Sequence, residues 1–466
     1  MKKILPLIFC LALIINGIAQ TNLPKTIAKD QKIYELSMVW KEVSYNFDNF
    51  DNCSELDVDS LYRSYISIIQ DTECDWDYSQ AMRRFMAHFN NAHTSVYGWP
   101  TSKTDTLFTM ICIKTNYRNG KIFIENIATR YAEQLQPGDE IITINDIPAL
   151  NYFEQKCVPY IFASNEDDKI HFAMFDIPTE FHIYPDNTKF TFGVATTEGI
   201  KKVELTSDRK FSENRWLVRD YTINSQNLFL LDSIQKTAYF QLTDCSLATS
   251  QYFQSYNSEI NQCNTIILDL SRNGGGQSTY NDSIYNYLIQ KDSIESYLRT
   301  SRLHEPVRKG QGRDYCNESI QNDETNDYWC SRYKGTFFGD PLPMNFSGKM
   351  AIDTTTNFKG KVYVIIGRET ASAAEDLVTM LSQDDKITFL GGRTNGSTGR
   401  PYRFSLPSGM QVSVNTLKTF DFQGNDISAG FTPNYEVDFY DCYKTTEPQQ
   451  LIDCLMDRIN DALKKP

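Results

Sequence analysis

The sequence predicts a multidomain α/β protein with a helical N-terminal segment, a β-rich middle and a larger unit of alternating strands and helices. Three observations carry this expectation. Apolar residues recur at three- and four-residue spacing through residues 25–100, as in Tyr34-Glu35-Leu36-Ser37-Met38-Val39-Trp40-Lys41-Glu42-Val43. Short apolar runs broken by Pro-Gly-Asp and Asn-Asp turns fill residues 104–205. From residue 228 to 445, β-branched runs alternate with helical periods, the pattern of a largely parallel sheet covered by helices. A chain of 466 residues has room for three domains of roughly 150 residues each.

The chain starts with the marks of a secretory signal over residues 1–19. Lys2-Lys3 is followed by an apolar stretch from Ile4 to Ile15, too short to span a bilayer comfortably, and by Gly17-Ile18-Ala19. Cleavage is expected near Ala19, with export to a periplasm or to the extracellular space. No later segment is apolar enough over sufficient length to cross a membrane, so no stable membrane insertion is expected. Ten of the eleven cysteines remain after cleavage, since Cys10 lies in the apolar stretch. An even number suits disulfides in an oxidising compartment. Local candidates are Cys53 with Cys74, Cys316 with Cys330, and Cys442 with Cys454. None forms a Cys-x-x-Cys pair and no histidine cluster accompanies them, which argues against a metal site. The net charge of −13, with basic residues dispersed, argues against a nucleic-acid partner.

Helical periods continue from Leu56 to Ile69 and from Tyr78 to Phe89. They give way to strand-like alternation across Asn91-Ala92-His93-Thr94-Ser95-Val96-Tyr97. In the middle, strands are expected at Lys121–Ile124, Ile141–Ile144, Lys189–Val194 and Lys202–Leu205. In the rear unit the expected strands are Leu228–Leu231, Thr237–Leu242, Thr265–Leu270 and Val362–Ile366, and the helices Ser283–Gln290 and Ala374–Gln383. Residues 299–358 are polar and aromatic with no clear period, and read as an insertion or lid. Residues 446–466 form a tail that closes with a short helix from Pro448.

Two corners in the rear unit carry chemistry. The run Val362-Tyr363-Val364-Ile365-Ile366-Gly367 breaks and restarts as Thr370-Ala371-Ser372-Ala373-Ala374-Glu375. That is a buried strand turning into a helix, with Ser372 beside amides able to stabilise an oxyanion. An ordinary helix-capping serine has the same signature. Upstream, Thr265-Ile266-Ile267-Leu268-Asp269-Leu270-Ser271-Arg272-Asn273-Gly274-Gly275-Gly276 ends a strand in three glycines. A backbone without Cβ atoms can approach a ligand closely.

These corners, with Leu135-Gln136-Pro137-Gly138-Asp139-Glu140-Ile141-Ile142-Thr143-Ile144-Asn145, resemble the C-terminal processing peptidase and tricorn-core superfamily of serine proteases. The resemblance covers nearly the whole mature chain. It implies a PDZ-like β-rich domain at 104–205 and a ClpP/crotonase-like α/β catalytic domain at 228–445. The helical domain at 25–100 would contribute the base. Ser372 matches the family nucleophile. Ser397, in Thr394-Asn395-Gly396-Ser397-Thr398-Gly399, stands where one branch carries a catalytic lysine, and Lys386 falls outside the motif. The other, tricorn-like branch takes a histidine from a Gly-His-Thr string, which points to His93 in Asn91-Ala92-His93-Thr94. The remaining histidines, 88, 171, 182 and 304, lie in no matching context.

The implied activity is an exported serine endopeptidase acting on peptides or unfolded proteins through a Ser372 acyl-enzyme, with no cofactor. Gly275, Gly276 and Ala373 are the candidate oxyanion-hole donors. Glu375 would orient the site or cap the helix, and Asp426, ahead of Gly430-Phe431-Thr432-Pro433-Asn434, is the candidate supporting acid. With an unperturbed histidine as base, activity should fall below about pH 6.5. No Gly-Leu-Gly carboxylate-binding loop is found near Leu107–Ile113, so capture of peptide ends by the PDZ-like segment stays open. The alternatives are a catalytically inactive protease-like scaffold that holds peptides, and an acyl-CoA-type enzyme, which the export signal opposes. Oligomeric state is not readable from the sequence.

Overall fold

The computed structural model describes residues 27–98, 110–175, 187–197, 199–208, 217, 226–303, 340–344, 349–444 and 447–464. The expected signal segment 1–19, His182, His304 and the Cys316 and Cys330 candidates lie outside them. Among the described residues no helix is long and apolar enough to cross a membrane.

Three helices open the chain: α1 (Lys29–Asn46), α2 (Val58–Gln70) and α3 (Asp75–Ala87). The three- and four-residue spacing puts Leu36, Val39 and Val43 of α1 on one buried stripe. The Asp57 carboxylate accepts the Ser60 N–H at 3.0 Å and caps α2. Asp75 and Asp77 sit in the first turn of α3, where the helix dipole favours negative charge. This core is not self-contained. Leu406, Met410, Val412 and Val414, from more than three hundred residues downstream, pack into the same cluster as Val39, Phe85 and Phe89.

A short strand, β1 (Ser95–Tyr97), leads out of the helices. The middle unit then forms a mostly antiparallel sheet from β2 (Ile113–Arg118), β3 (Lys121–Ile127), β4 (Glu140–Ile144), β5 (Lys189–Thr196) and β6 (Gly199–Asp208), with short strands at Met110–Ile111 and Ile147–Pro148. Helices α4 (Ala149–Lys156) and α5 (Glu166–Phe175) accompany it. Its turns follow their residues. Asn145 and Asp146 both take positive φ, 50° and 63°, as a two-residue hairpin turn requires. The Asp139 carboxylate accepts the Gln136 N–H at 2.9 Å across the Pro-Gly turn.

In the rear unit a six-stranded sheet runs in the order β14-β11-β10-β9-β8-β7. Its members are β7 (Leu228–Asp232), β8 (Thr237–Gln241), β9 (Thr265–Asp269), β10 (Lys361–Ile366), β11 (Ile387–Gly391) and β14 (Tyr435–Glu436). All neighbours are parallel except the edge strand β7. Strands β8 and β9, apolar at their centres, are buried at every position, polar ends included, as strands covered on both faces must be. One face packs on α6 (Leu247–Gln254), α7 (Asp282–Leu288) and α8 (Ala373–Leu381), and the other on the C-terminal helix α9 (Pro448–Leu463). A second sheet pairs β1 with β13 (Gln411–Asn415), which pairs in turn with β12 (Pro401–Ser405).

One expectation is revised. Cys53 and Cys74 are free, because they sit at opposite ends of α2. A 13-residue helix is about 20 Å long, beyond disulfide reach. Cys442 and Cys454 are bonded, with Cα atoms 5.5 Å apart. The edges of the 299–358 segment are strands: Leu298–Leu303 pairs antiparallel with both Asp340–Met344 and Lys418–Phe420.

Candidate active site

Ser372 stands on the corner between β10 and α8, with φ 56° and ψ −125°. A non-glycine residue there is strained and is held by its surroundings. The holds are visible. The Ala371 N–H donates to Asn273 O at 3.0 Å, the Ser372 N–H to Ser397 O at 2.8 Å, and the Thr370 hydroxyl to Leu270 O at 2.7 Å. Gly275, at φ +93°, lies directly beneath. A Cβ there would fall 2.6 Å from both Ser372 Cβ and Ala371 O, so only glycine fits.

His93 reaches this corner through the pairing of β1 with β13, which sets Ser95 opposite Ser413. The Ser413 hydroxyl donates to His93 O at 2.8 Å, and the Asn415 N–H to the Thr94 hydroxyl at 3.0 Å. The His93 N–H donates to the Asn91 side chain at 2.9 Å. So fixed, His93 Nε2 lies 3.2 Å from Ser372 Oγ and Nδ1 lies 2.5 Å from Ser397 Oγ. For Nε2 to accept the Ser372 proton, Nδ1 must carry the ring hydrogen and give it to Ser397. Burial, with a smaller push from the Arg403 charge, lowers the imidazole to about 4, so it is neutral at pH 7.

Glu375 sits beneath both serines, 2% exposed. It accepts four donors: the Thr394 hydroxyl at 2.6 Å, Gly396 N–H at 2.7 Å, Ser397 N–H at 2.9 Å and Ser372 N–H at 3.3 Å. One carboxylate thus binds the Ser372 corner to the loop that touches His93. Burial pushes it up to about 7, against the pull of its donors.

The candidate oxyanion donors divide. The Gly275 N–H donates to the Asn273 side chain at 2.9 Å and is engaged. Among the described residues no hydrogen bond occupies the N–H of Gly276 or of Ala373. Asp426 lies elsewhere. It pairs with Lys418 at 2.9 Å and accepts the Ser428 N–H at 2.9 Å, and no hydrogen bond joins it to His93, Ser372 or Ser397 among the described residues. The group at His93 Nδ1 is Ser397, which sequence reasoning treated only as a missing lysine. Its position in the motif was the available signal. Asn434 accepts the Phe389 N–H at 2.7 Å and holds its turn against β11. His88 bonds Tyr65 at 3.3 Å, and Lys386 reaches Gln290, both away from the serine.

Residues 236–437 match the model of peptidase family S41. That stretch of the chain carries the pattern of this family. The chain is a serine-type peptidase with an α/β fold. Across 94% of its length the peptidase is similar to mature CPAF complexed with lactacystin, at 13% identity and TM-score 0.66, covering 99% of that chain. Mature CPAF alone gives 12% identity and TM-score 0.66, with 93% and 97% covered. The photosystem II D1 C-terminal processing protease is a looser likeness, at 14% identity and TM-score 0.46 over 91% of this chain and 96% of that one. No curated protein matches the sequence.

The middle unit of the peptidase also touches both active-site loops. Asp168, in the first turn of α5, is fully buried. It accepts Arg368 at 2.9 Å and Arg393 at 2.8 Å. Each arginine stands four residues ahead of a serine of the site, Ser372 and Ser397 respectively. The Ser164 hydroxyl donates to Gly396 O at 3.2 Å alongside.

Proposed function

We propose that this S41 peptidase is an exported endopeptidase that cuts unfolded proteins or peptides through a Ser372 acyl-enzyme. The observation that carries the reading is the 3.2 Å approach of His93 Nε2 to Ser372 Oγ. Ser372 Oγ attacks the scissile carbonyl carbon as its proton passes to Nε2. The oxyanion is held by the Gly276 and Ala373 N–H groups. Nε2 then gives its proton to the leaving amine, and water repeats the cycle on the ester. Ser397 keeps the imidazole in the productive tautomer, the task an acid performs in other serine proteases. The histidine base aligns the chain with the tricorn-like branch. The middle unit is read as PDZ-like on its Pro-Gly-Asp motif and antiparallel sheet. Export rests on the N-terminal segment and the Cys442–Cys454 disulfide.

One experiment tests the core of this. Mass spectrometry of protein recovered after export and fluorophosphonate treatment should show a chain beginning near Gln20 with the adduct on Ser372. An intact N-terminus opposes export. An unmodified Ser372 opposes catalysis and favours the inactive peptide-holding scaffold.

The pH profile follows from burial. With its pKa depressed to about 4, His93 stays neutral far below the usual histidine range, so its protonation removes activity only as pH falls through about 4. This replaces the limb near 6.5 expected of a free imidazole. Glu375, raised to about 7, takes up a proton as pH falls through neutrality and then accepts fewer of its four donors. A partial loss of kcat is expected there. In Glu375→Gln the step near 7 should vanish while the limb near 4 stays. A single limb near 6.5 in both proteins would refute the assignment.

A further inference from the structure

Beside the oxyanion-hole glycine lies a cavity of about 630 Å³. Gly276 forms part of its wall, and so do Leu377 and Met380, on the helix that starts at Ser372. A substrate carbonyl held at Gly276 therefore has this space next to it. Tyr285 and Tyr297 add apolar wall, which suits an extended side chain.

Asp376 and Arg299 also line the cavity. Asp376 is 4% exposed. Its Oδ2 accepts the Ser278 hydroxyl and, at 3.1 Å, Arg299 Nη2. Its Oδ1 is buried without a partner, and so is Arg299 Nε. The same guanidinium donates to the Tyr297 hydroxyl at 3.0 Å. The salt-bridged pair in the cavity wall thus has one acceptor and one donor unmet, both with almost no accessible surface in this conformation. Buried polar atoms of this kind require partners. The Asp376 and Arg299 charges offset each other, so neither a cationic nor an anionic side chain meets a net opposite charge. A carboxamide offers both N–H donors and a carbonyl acceptor and carries no charge.

We infer that this cavity is the specificity pocket for the residue on the acyl side of the cut, and that it selects glutamine or asparagine. The inference rests on the Ser372 mechanism proposed above. The substrate amide pairs with the two side chains, its N–H toward the Asp376 carboxylate and its carbonyl toward the Arg299 guanidinium. An isosteric apolar side chain gains neither hydrogen bond.

The test is cleavage-site mapping by mass spectrometry on a library of denatured-protein peptides, followed by kcat/KM on matched peptides. These compare glutamine with methionine and asparagine with leucine. The expected result is a preference of at least ~10-fold for the amide in each pair. In Asp376→Asn the ratio should fall toward one, and a ratio taken within one variant cancels general damage to it. Equal or better cleavage after methionine or leucine overturns the inference. So does a preference for lysine, arginine or glutamate, or a library left uncut by a protein whose Ser372 takes the fluorophosphonate. Where Ser372 takes no label and nothing is cut, the mechanism itself fails and the pocket with it.

Discussion

Ser372→Ala and His93→Ala should each lower kcat on an unfolded protein by about 10⁴–10⁶, and the double variant should be no worse than either single one. A nucleophile without its base, or a base without its nucleophile, leaves only the binding and oxyanion contributions, so the losses do not add. Thermal unfolding should separate this from structural damage. Ser372 and His93 each keep part of their surface exposed, and the surrounding hydrogen bonds run through backbone groups that alanine retains. The melting temperature is expected to move little. Ser397→Ala should cost far less, because Ser397 positions the ring and touches no substrate atom. Losses that multiply in the double variant, or a Ser372→Ala protein that still cuts at the parent rate, would show that the two residues do not act as a unit.

Asp168→Ala is expected to be the most damaging substitution outside the catalytic residues. Breaking a buried ion pair costs roughly 3–5 kcal/mol, chiefly because the surviving charges are stranded. Here two guanidinium groups are left, each 26% exposed, with Arg368 still paired to Asp167 and Arg393 still donating to Thr394 O and Ala429 O, which places the effect near the low end. Arg368 and Arg393 would release the stretches leading to Ser372 and Ser397. The expected kinetic signature is a fall in kcat with KM unchanged, together with slower fluorophosphonate labelling, because geometry is lost without loss of binding surface. Asp168→Asn, which keeps an acceptor, should recover part of both. A variant with the parent melting temperature and kcat would show that the contact is incidental.

The legible parts of this molecule were those written in short stretches of chain. The runs of β8, β9 and β10 announce buried parallel strands because their centres are uninterruptedly apolar. The Asn145-Asp146 and Pro137-Gly138 turns are local backbone preferences. Ser372 and His93 stood out through motif context. Four features were beyond such reading. Ser397 contacts a ring 304 positions away, so nothing near it in sequence reveals what it bonds. Asp168 is an unremarkable helix-start acid until two arginines some 200 positions on close around it. Asp426 had a suggestive neighbourhood, but Lys418 claims its charge. The engagement of the Gly275 N–H by Asn273 was equally hidden, since a glycine string does not say which of its amides is already taken.

The β1–β13 ladder places His93 against a residue 320 positions further along the chain. A polypeptide still emerging from the ribosome therefore carries its alcohol and its imidazole as unrelated groups. The bonds that hold His93 in place can therefore form only once the chain has been made through Asn415.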